Sequence, residues 1–315
     1  MAGKIYRLLV DAETSGIRID QFVAARVPEL SRGQVRKIID LGGVHLAGRR
    51  VGRCSLEVRC GQKVEVYLDG RSLEIFSLSP DQILFQDAYL LVIDKPAGVE
   101  FQPTHARYKG TLYDAVRRYL AESESSGVTL GMVQRLDRDT SGATVFSIHP
   151  RAHGAMTKLF SERRVEKRYR ALVCGSPEED CGEIRSLLAR QHRTNRMKSV
   201  DKGGKEAITR YRVLERFDSY ALVEVELVTG RSHQIRAHFC EAGHALLGDR
   251  SYGGDGSSTD CEAPRTMLHA FRLAFTHPVS GLPLVFEVAP PADMLAVLNG
   301  LRDHNNPWSL QTPKE

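Results

Sequence analysis

The chain has 315 residues, 42% of them hydrophobic and 26% charged, which is the composition of a globular protein large enough for two domains. No apolar run approaches the roughly 20 residues that span a bilayer. Acidic residues follow the N-terminus too soon for a typical signal peptide, so we expect a cytoplasmic protein with no membrane partner. The six cysteines form no C-x-x-C pair, which argues against a zinc ribbon and a disulfide framework.

The net charge of +5 is a mild excess, but it is concentrated in two runs that are nearly free of acidic residues. The first run contains Arg32, Arg36, Lys37, Arg49, Arg50 and Arg53. The second run contains Arg185, Arg190, Arg193, Arg196, Lys198, Lys202 and Lys205. Either run alone fits a solvated face, whereas two such runs in one chain favour a polyanionic partner.

Residues 14–70 predict a small module of two helices followed by strands. Ser31 is a good N-cap for the second helix, and Gly42 ends it. The apolar stripe of this helix consists of Val35, Ile38 and Ile39. Three basic residues lie off that stripe and are expected to project together into solvent: Arg32, Arg36 and Lys37. A basic turn, "LAGRRV", follows. Such a surface can follow the backbone of a folded RNA.

The rest of the chain predicts a linker over 71–81, a large domain over 82–300 and a loose tail over 301–315. Strand-like and helix-like segments alternate in the large domain, which favours an α+β fold with a mixed sheet. "GMVQRLD" and "GATVFSIHP" are predicted strands, and "RSHQIRAHFCEAG" is a predicted helix capped by Ser232.

The segment "QRLDRDTSG" carries four charged residues between two of these predicted strands. With a period of two, Arg135 and Asp137 share one strand face, while Leu136 points into the core. Asp139 is better placed as a turn residue. The pattern fits a solvated surface loop, but it also places Asp137 at a strand end that can open into a cleft.

Familiar cofactor and metal motifs are missing from the sequence. There is no G-x-x-x-x-G-K-[ST], no G-x-G-x-x-G and no G-x-S-x-G. The histidines His233, His238 and His244 do not have the spacing of H-E-x-x-H. We therefore expect neither a cofactor nor a metal.

The N-terminal module resembles the RNA-binding domain first described in ribosomal protein S-four, from about Gly16 to Leu68. The resemblance rests on "IDQFVA", "LSRGQVRKIIDLGGVHLAGRRV" and "CGQKVEV". Ala47 stands where that family usually has Asn. The resemblance implies a small αL-type RNA-binding domain, with Arg32, Arg36 and Lys37 as RNA contacts.

The large domain resembles the RluA-type family of pseudouridine synthases over roughly Leu84 to Ala289. The segments, in the family's order, are "DKPAGV", "RLDRDTSG", "KRYRALV", "GKEAITRYRVL", "TGRSHQIRAHF", "GDRSYGG" and "LHAFRLAFTHPVSG". The resemblance implies a mixed, largely antiparallel sheet with a central cleft. It also implies an enzyme that isomerises uridines in structured RNA without a cofactor. Ribosomal RNA of the large subunit is the first expectation, transfer RNA is the second, and we expect a monomer.

Four residues match the family's functional positions. Asp137 matches its essential aspartate, and Arg135 matches the arginine associated with opening the RNA and holding the flipped nucleotide. Tyr169 matches the tyrosine that stacks on the target base and is tied to a late proton transfer. Arg236 matches the arginine that pairs with the aspartate. These assignments imply catalysis by Asp137, Tyr169 and Arg236, with Arg135 as an RNA contact.

Two departures from the family and two other functions remain in view. Gln134 stands where the family commonly has His, and Gln102 lies near another usual His.

A non-catalytic RNA-binding or ribosome-assembly protein would keep the same scaffold. A hydrolase would use Asp137 and Asp139 as paired carboxylates. The sequence leaves open which uridine is modified, and whether Asp137 acts as nucleophile or as base.

Overall fold

The computed structural model describes residues 3–123, 129–191, 193–253 and 263–304. The chain divides into two compact units. The N-terminal unit comprises Met1–Ser79 and Val99–Val128, and the large unit comprises Pro80–Gly98 and Thr129–Glu315. Among the described helices, none combines the length and apolar character that a membrane crossing requires.

The N-terminal unit contains a four-stranded antiparallel sheet in the order β1-β4-β2-β3. Its elements are β1 (Lys4–Leu9), α1 (Ile19–Arg26), α2 (Arg32–Leu41), β2 (Val44–Leu46), β3 (Arg49–Arg50), β4 (Lys63–Leu68) and α3 (Leu112–Ser123). Apolar residues of α1 and α2 pack with the alternate residues Val64 and Val66 of β4 in one buried cluster. The two predicted helices and the following strands are therefore present.

The second of these helices begins and ends as the sequence predicts. The Ser31 hydroxyl accepts the Gln34 backbone N–H at 3.2 Å, and the Gln34 side chain accepts the Ser31 N–H at 2.8 Å. This reciprocal capping box satisfies two backbone donors of the first turn. Gly42 ends the helix in the left-handed region at φ 91°.

Residues 99–128, which the sequence analysis placed in the large domain, cluster with the N-terminal unit. The Tyr108 backbone N–H donates to the Leu41 carbonyl at 2.7 Å. Arg107 is buried, and its guanidinium binds Asp69 at 2.9 Å and the Ser72 carbonyl at 2.7 Å. Part of the predicted linker is therefore tied into this unit by charge-assisted hydrogen bonds.

A buried carboxylate organises the basic face of the N-terminal unit. Asp20 is fully buried, and three guanidiniums converge on it: Arg18 at 3.0 Å, Arg32 at 3.0 Å and Arg36 at 2.8 Å. We expected Arg32 and Arg36 to project freely into solvent. Both are partly exposed, but their guanidiniums are bonded to Asp20. Lys37 is exposed. The cluster carries an excess of positive charge on a fixed frame.

We expect Asp20→Asn to destabilise the protein by about 3 kcal/mol at neutral pH, because it leaves three clustered guanidiniums without their shared anion. Burial raises the pKa of Asp20, but the hydrogen bonds from the three arginines outweigh it and hold that pKa far below its ordinary 3.8. The stabilisation is therefore complete above the unfolded-state pKa and is lost as the pH falls toward the folded-state value. Urea unfolding of wild type and variant across acidic pH measures the difference.

The matched control for this change is Asp40→Asn, which removes an exposed carboxylate that pairs with Lys109. Exposed pairs contribute little, so its stability should match wild type within about 1 kcal/mol. Equal stability of the Asp20 variant and wild type at neutral pH would contradict the structural role assigned to this carboxylate.

The large unit is built on one sheet with helices on both of its faces. Its strands are β5 (Ile83–Gln86), β6 (Leu90–Lys95), β7 (Gly131–Met132), β8 (Ser141–Ser147), β9 (Glu166–Cys174), β10 (Cys181–Gln191), β11 (Arg196–Ser199), β12 (Lys205–Arg216), β13 (Tyr220–Leu227), β14 (Leu268–Thr276) and β15 (Pro283–Glu287). Its helices are α4 (Pro150–Ser161), α5 (Gln234–Glu241) and α6 (Ala292–His304). Residues 301–304, which were predicted to begin a loose tail, belong to α6. The other residues of the predicted tail, 305–315, lie outside the described residues.

The described strands run in the order β11-β10-β12-β13-β9-β14-β8-β6-β5, with β15 beside β14 and β7 beside β8. The β14–β8 pair is parallel, and the other pairs of this sheet are antiparallel. The prediction of a mixed, largely antiparallel sheet with helices is confirmed. Helix α4 packs against β6 and β8, and α6 packs against β9 and β13.

One predicted strand is much shorter than expected. The segment "GMVQRLD" forms a ladder only at Gly131–Met132, where β7 pairs with β8. Residues 133–140, which we call the RLD loop, belong to no helix or strand and turn at Arg138 and Asp139. Arg135 is exposed and Leu136 is buried, so the alternation was predicted correctly. A period of two marks extended backbone, but it does not show whether a strand partner is present.

Candidate active site

A buried lysine fixes the RLD loop through hydrogen bonds to its backbone. Lys95, the last residue of β6, is fully buried, and its ammonium donates to three backbone carbonyls: Pro96 at 2.9 Å, Arg138 at 2.8 Å and Thr140 at 2.9 Å. These contacts make it a structural support, because an ammonium with three buried acceptors fixes the backbone on both sides of Asp139.

Two further contacts restrain the end of the same loop. The Arg265 guanidinium donates to the Asp139 carbonyl at 2.9 Å. Gly142 lies at φ 110° against β14, where a Cβ would sit 2.2 Å from the Ala270 carbonyl oxygen. Only glycine fits this position without moving a strand. With Leu136 buried on the other side, the Asp137 side chain stands on a fixed backbone.

Arg236 of α5 joins two carboxylates. Its Nη1 donates to Asp137 Oδ2 at 3.0 Å. Its Nε and Nη2 donate to Asp249 Oδ2 and Oδ1 at 2.6 and 2.8 Å in a bidentate pair. Asp249 is 1% exposed, whereas the side chain of Asp137 is 29% exposed. The pairing of Arg236 with Asp137 expected from the sequence is present, and Asp249 is the deeper anchor.

The charges of these three side chains decide what Asp137 can do. Burial lowers the pKa of Arg236, but hydrogen bonds and charge from Asp249 and Asp137 raise it above its ordinary value, so the guanidinium stays protonated. Two carboxylates and one guanidinium leave one net negative charge. Asp249 binds two of the guanidinium nitrogens, and Asp137 binds the third through Oδ2 alone. Asp137 Oδ1 therefore takes no part in the pairing with Arg236.

His233 and Tyr252 border the other side of Asp137. His233, not the predicted Ser232, is the N-cap of α5, in the left-handed region at φ 50° and without a side-chain cap. Its Nε2 lies 3.9 Å from Asp137 Oδ1, and its Nδ1 lies 3.2 Å from the Tyr252 hydroxyl. The Arg236 guanidinium stacks over the Tyr252 ring at 4.9 Å from its centroid.

Tyr169 lies on β9 opposite Val225, on the strand face that it shares with Ala171. The residue is buried. Burial, with a smaller contribution from the charge of Asp137, raises the pKa of Tyr169 well above its ordinary value. Tyr169 is therefore a neutral phenol, and it is close enough to Asp137 for the charge of that carboxylate to affect its pKa.

The remaining predicted residues are distributed as follows. Arg135 is exposed on the RLD loop, two residues before Asp137. Arg32, Arg36 and Lys37 belong to the N-terminal unit. The Gln134 amide donates to the Thr144 hydroxyl at 3.0 Å, so it supports the RLD loop. The structure thus brings together Asp137, Tyr169 and Arg236, and their roles stay predictions.

Sequence reasoning missed Asp249, His233 and Tyr252 as members of this site. Asp249 begins a tight turn, in which the Tyr252 and Ser251 backbone N–H groups donate to Asp249 Oδ1 at 3.2 and 3.1 Å. The available signal was the acidic residue in that turn and the His three residues before Arg236.

Asp139 does not form a carboxylate pair with Asp137, because its side chain is engaged by Arg138. Within the ranges that the structure describes, no group of three or more His, Cys, Asp or Glu side chains is arranged to hold a metal ion.

Comparison with known proteins gives a consistent result. The family model for RNA pseudouridylate synthase matches residues 89–241. An uncharacterized RNA pseudouridine synthase of Aquifex aeolicus (strain VF5) is 35% identical over 299 residues, which cover 91% of this chain and 95% of the relative. Ribosomal large subunit pseudouridine synthase D of Nitrosomonas europaea is 36% identical over 307 residues, which cover 94% of this chain and 88% of the relative.

A solved structure shows the same fold. Human RNA Pseudouridylate Synthase Domain Containing 4 superposes with a TM-score of 0.58 at 23% identity, over 70% of this chain and 93% of the human one. The fold agrees with the relationship that the sequences show over nearly the whole chain. The protein therefore belongs to the RNA pseudouridine synthase family and is an isomerase that converts uridine to pseudouridine in RNA.

Proposed function

We propose that this enzyme modifies uridines of large-subunit ribosomal RNA and that Asp137 is the residue that acts on the flipped-out nucleotide. The observation that carries the proposal is the Asp249–Arg236–Asp137 chain, in which the guanidinium binds one oxygen of Asp137 and leaves its other oxygen unengaged. The choice of ribosomal RNA is supported by the names of three relatives, all called ribosomal large subunit pseudouridine synthase D.

The reaction makes a specific demand on this carboxylate. Breaking the N-glycosidic bond of uridine and rejoining the base through carbon needs an anionic group at the ribose, as nucleophile or as base. The Arg236 guanidinium, 3.0 Å from Asp137 Oδ2, places a positive charge beside that carboxylate. Arg236 therefore serves as the residue that pairs with Asp137 and positions it.

The target base must also leave its stack, because its reacting atoms are inaccessible within a helix. Arg135 is exposed on the same loop as Asp137 and is suited to fill the gap that the base leaves. Tyr169 offers a neutral aromatic ring beside Asp137 on which the base can stack. Stacking and gap filling offset the unstacking free energy of a few kcal/mol.

The conversion itself tests the proposal. Purified enzyme should convert uridine to pseudouridine in protein-free large-subunit ribosomal RNA, with no change in mass and no release of free uracil. Chemical labelling specific for pseudouridine, followed by sequencing, locates the site. Free uracil as the main product would indicate the hydrolase alternative. Conversion in transfer RNA but not in ribosomal RNA would overturn the substrate proposed here.

The N-terminal unit supplies sequence-independent affinity for RNA in this proposal. Helix α2 and the β2–β3 hairpin carry exposed basic residues beside the Asp20 cluster, among them Lys37 and Arg49. This arrangement supports phosphate binding by the S-four-type module that the sequence resembles. Arg32 and Arg36 contribute as a fixed pair, since both are bonded to Asp20.

We expect Lys37→Ala/Arg49→Ala to lower the salt dependence of RNA affinity by about 0.7–0.9 log units for each phosphate that the variant no longer neutralises. These two exposed side chains are chosen because they spare the bonds to Asp20. The single-turnover rate at saturating RNA should barely change, because Asp137 belongs to the large unit. The measurement is the dissociation constant of ribosomal RNA at several salt concentrations.

The matched control, Lys4→Ala/Arg7→Ala, removes two exposed charges from β1, at the other edge of the same sheet. It should leave the salt slope close to that of wild type. Equal slopes for the Lys37/Arg49 variant and wild type would show that this face does not bind phosphates.

A further inference from the structure

We propose that His233 is a further polar group of the reaction site, whose Nε2–H donates a hydrogen bond to a ribose oxygen of the target nucleotide. The inference rests on the proposed role of Asp137, because it places the ribose at that carboxylate. It concerns a side chain that lies outside the Asp249–Arg236–Asp137 chain.

The position of the imidazole relative to Asp137 is the first observation. Arg236 binds Oδ2 of Asp137, and His233 Nε2 lies 3.9 Å from the other oxygen, Oδ1. That separation is too long for a direct hydrogen bond. An oxygen about 2.8 Å from both atoms would complete two hydrogen bonds at nearly a right angle. A ribose hydroxyl, which can accept from His233 Nε2–H and donate to Asp137 Oδ1, fits that place.

The hydrogen bond on the far side of the ring assigns the proton. The Tyr252 hydroxyl accepts the Met197 backbone N–H at 2.7 Å, and we assign its own proton to the hydrogen bond with His233 Nδ1 at 3.2 Å. A neutral imidazole that accepts at Nδ1 carries its hydrogen on Nε2. Tyr252 is itself held by the stacked Arg236 guanidinium.

The environment keeps this ring neutral. Burial lowers the pKa of His233, and the nearby Arg236 and Arg190 lower it further, against the opposing charges of Asp137 and Asp249. The net pKa lies below the ordinary value of a histidine. At neutral pH the ring is therefore a fixed donor at Nε2 and does not neutralise Asp137.

The backbone of His233 adds a second observation. A non-glycine residue in the left-handed region costs roughly 1 kcal/mol or more, and such strain persists where surrounding contacts determine it. Here the strained residue caps α5 without using its side chain for the cap. The conformation directs the imidazole toward Asp137 and Tyr252 instead of toward the helix N-terminus.

Two substitutions separate a donor from a packing group. In His233→Gln the amide nitrogen can reach the position of imidazole Nε2. In His233→Asn the shorter amide reaches only the position of Nδ1, and asparagine tolerates the left-handed backbone well. Both variants are assayed as full-length enzyme with ribosomal RNA, by single-turnover rate at saturating RNA and by dissociation constant. Thermal unfolding confirms that each one is folded.

We expect His233→Asn to lower the single-turnover rate roughly a hundredfold to a thousandfold, the loss typical of one positioned donor. The dissociation constant should change little, and His233→Gln should recover most of the rate. Tyr252→Phe, which removes the group that fixes the imidazole proton, should lower the rate to an intermediate value.

Three outcomes distinguish the possibilities. A wild-type rate in His233→Asn would overturn the proposal, and because asparagine suits this backbone, the test does not depend on the glutamine variant folding. Equal losses in the Asn and Gln variants would assign His233 to packing. If Asp137→Asn, measured alongside, remained active, the proposed function itself would fail, independently of His233.

Discussion

Replacing Asp137 with asparagine is expected to lower the single-turnover rate of pseudouridine formation by about 10⁴-fold or more, the size of loss seen when a central catalytic group is removed. Asparagine has nearly the same shape and keeps an oxygen for Arg236 Nη1, so the loop and α5 should stay in place. What is lost is the negative charge and the reactive oxygen. RNA affinity should stay within a few fold of wild type.

Asp139→Asn is the matched control for this change. Asp139 belongs to the same loop, but its carboxylate is bound by Arg138 and lies outside the Asp249–Arg236–Asp137 chain. Its effect on the rate should be far milder. If the two variants were equally active, or if Asp139→Asn caused the larger loss, the assignment of the reacting carboxylate to Asp137 would be wrong.

Lys95→Met is expected to destabilise the protein by about 3 kcal/mol and to lower the rate as well. The variant leaves the carbonyls of Pro96, Arg138 and Thr140 buried without the ammonium that binds them, and each such loss costs about 1–3 kcal/mol before relaxation. Because two of these carbonyls, those of Arg138 and Thr140, directly follow Asp137 in the RLD loop, a relaxed loop misplaces its carboxylate. Urea unfolding and single-turnover assays below the unfolding transition measure the two effects separately.

The control for the lysine change is Lys158→Met on α4, where the side chain is 71% exposed and its pair with Glu162 is long, at 3.7 Å. Its stability and rate should match wild type. A Lys95→Met protein as stable as wild type would show that water or a rearranged backbone replaces the ammonium, and Lys95 would not be the support described here.

The members of the site differ in how far the sequence could reveal them. Asp137 and Tyr169 lie in motifs whose local pattern already places them, the first at the end of an extended segment and the second on a strand face. The local pattern around Asp249 shows an acidic residue in a turn, but not its partner. The importance of Asp249 comes from a bidentate contact with Arg236, 13 positions earlier in the chain, and hydrogen-bond geometry of that kind is created by packing.

The fold shows the same division. Helix α2 could be predicted with its ends, because Ser31, Gln34 and Gly42 act through contacts within a few positions. The bonds of Arg32 and Arg36 to Asp20 connect positions 12 and 16 apart on two helices, so the helix pattern alone showed these arginines only as exposed. Likewise, the length of β7 was overestimated. Alternation of buried and exposed residues is a property of a single segment, whereas a strand also needs a neighbouring segment to hydrogen-bond with.

The order in which the chain enters and leaves its two units determines how the N-terminal unit can be exchanged between enzymes. The chain leaves the N-terminal unit at Ser79, contributes Pro80–Gly98 to the large unit, and returns to the N-terminal unit for Val99–Val128. A single cut therefore yields neither unit whole. Transplanting the basic module onto another enzyme requires three exchange points, after Ser79, Gly98 and Val128. During synthesis, the module is complete only after the first strands of the catalytic sheet have already left the ribosome.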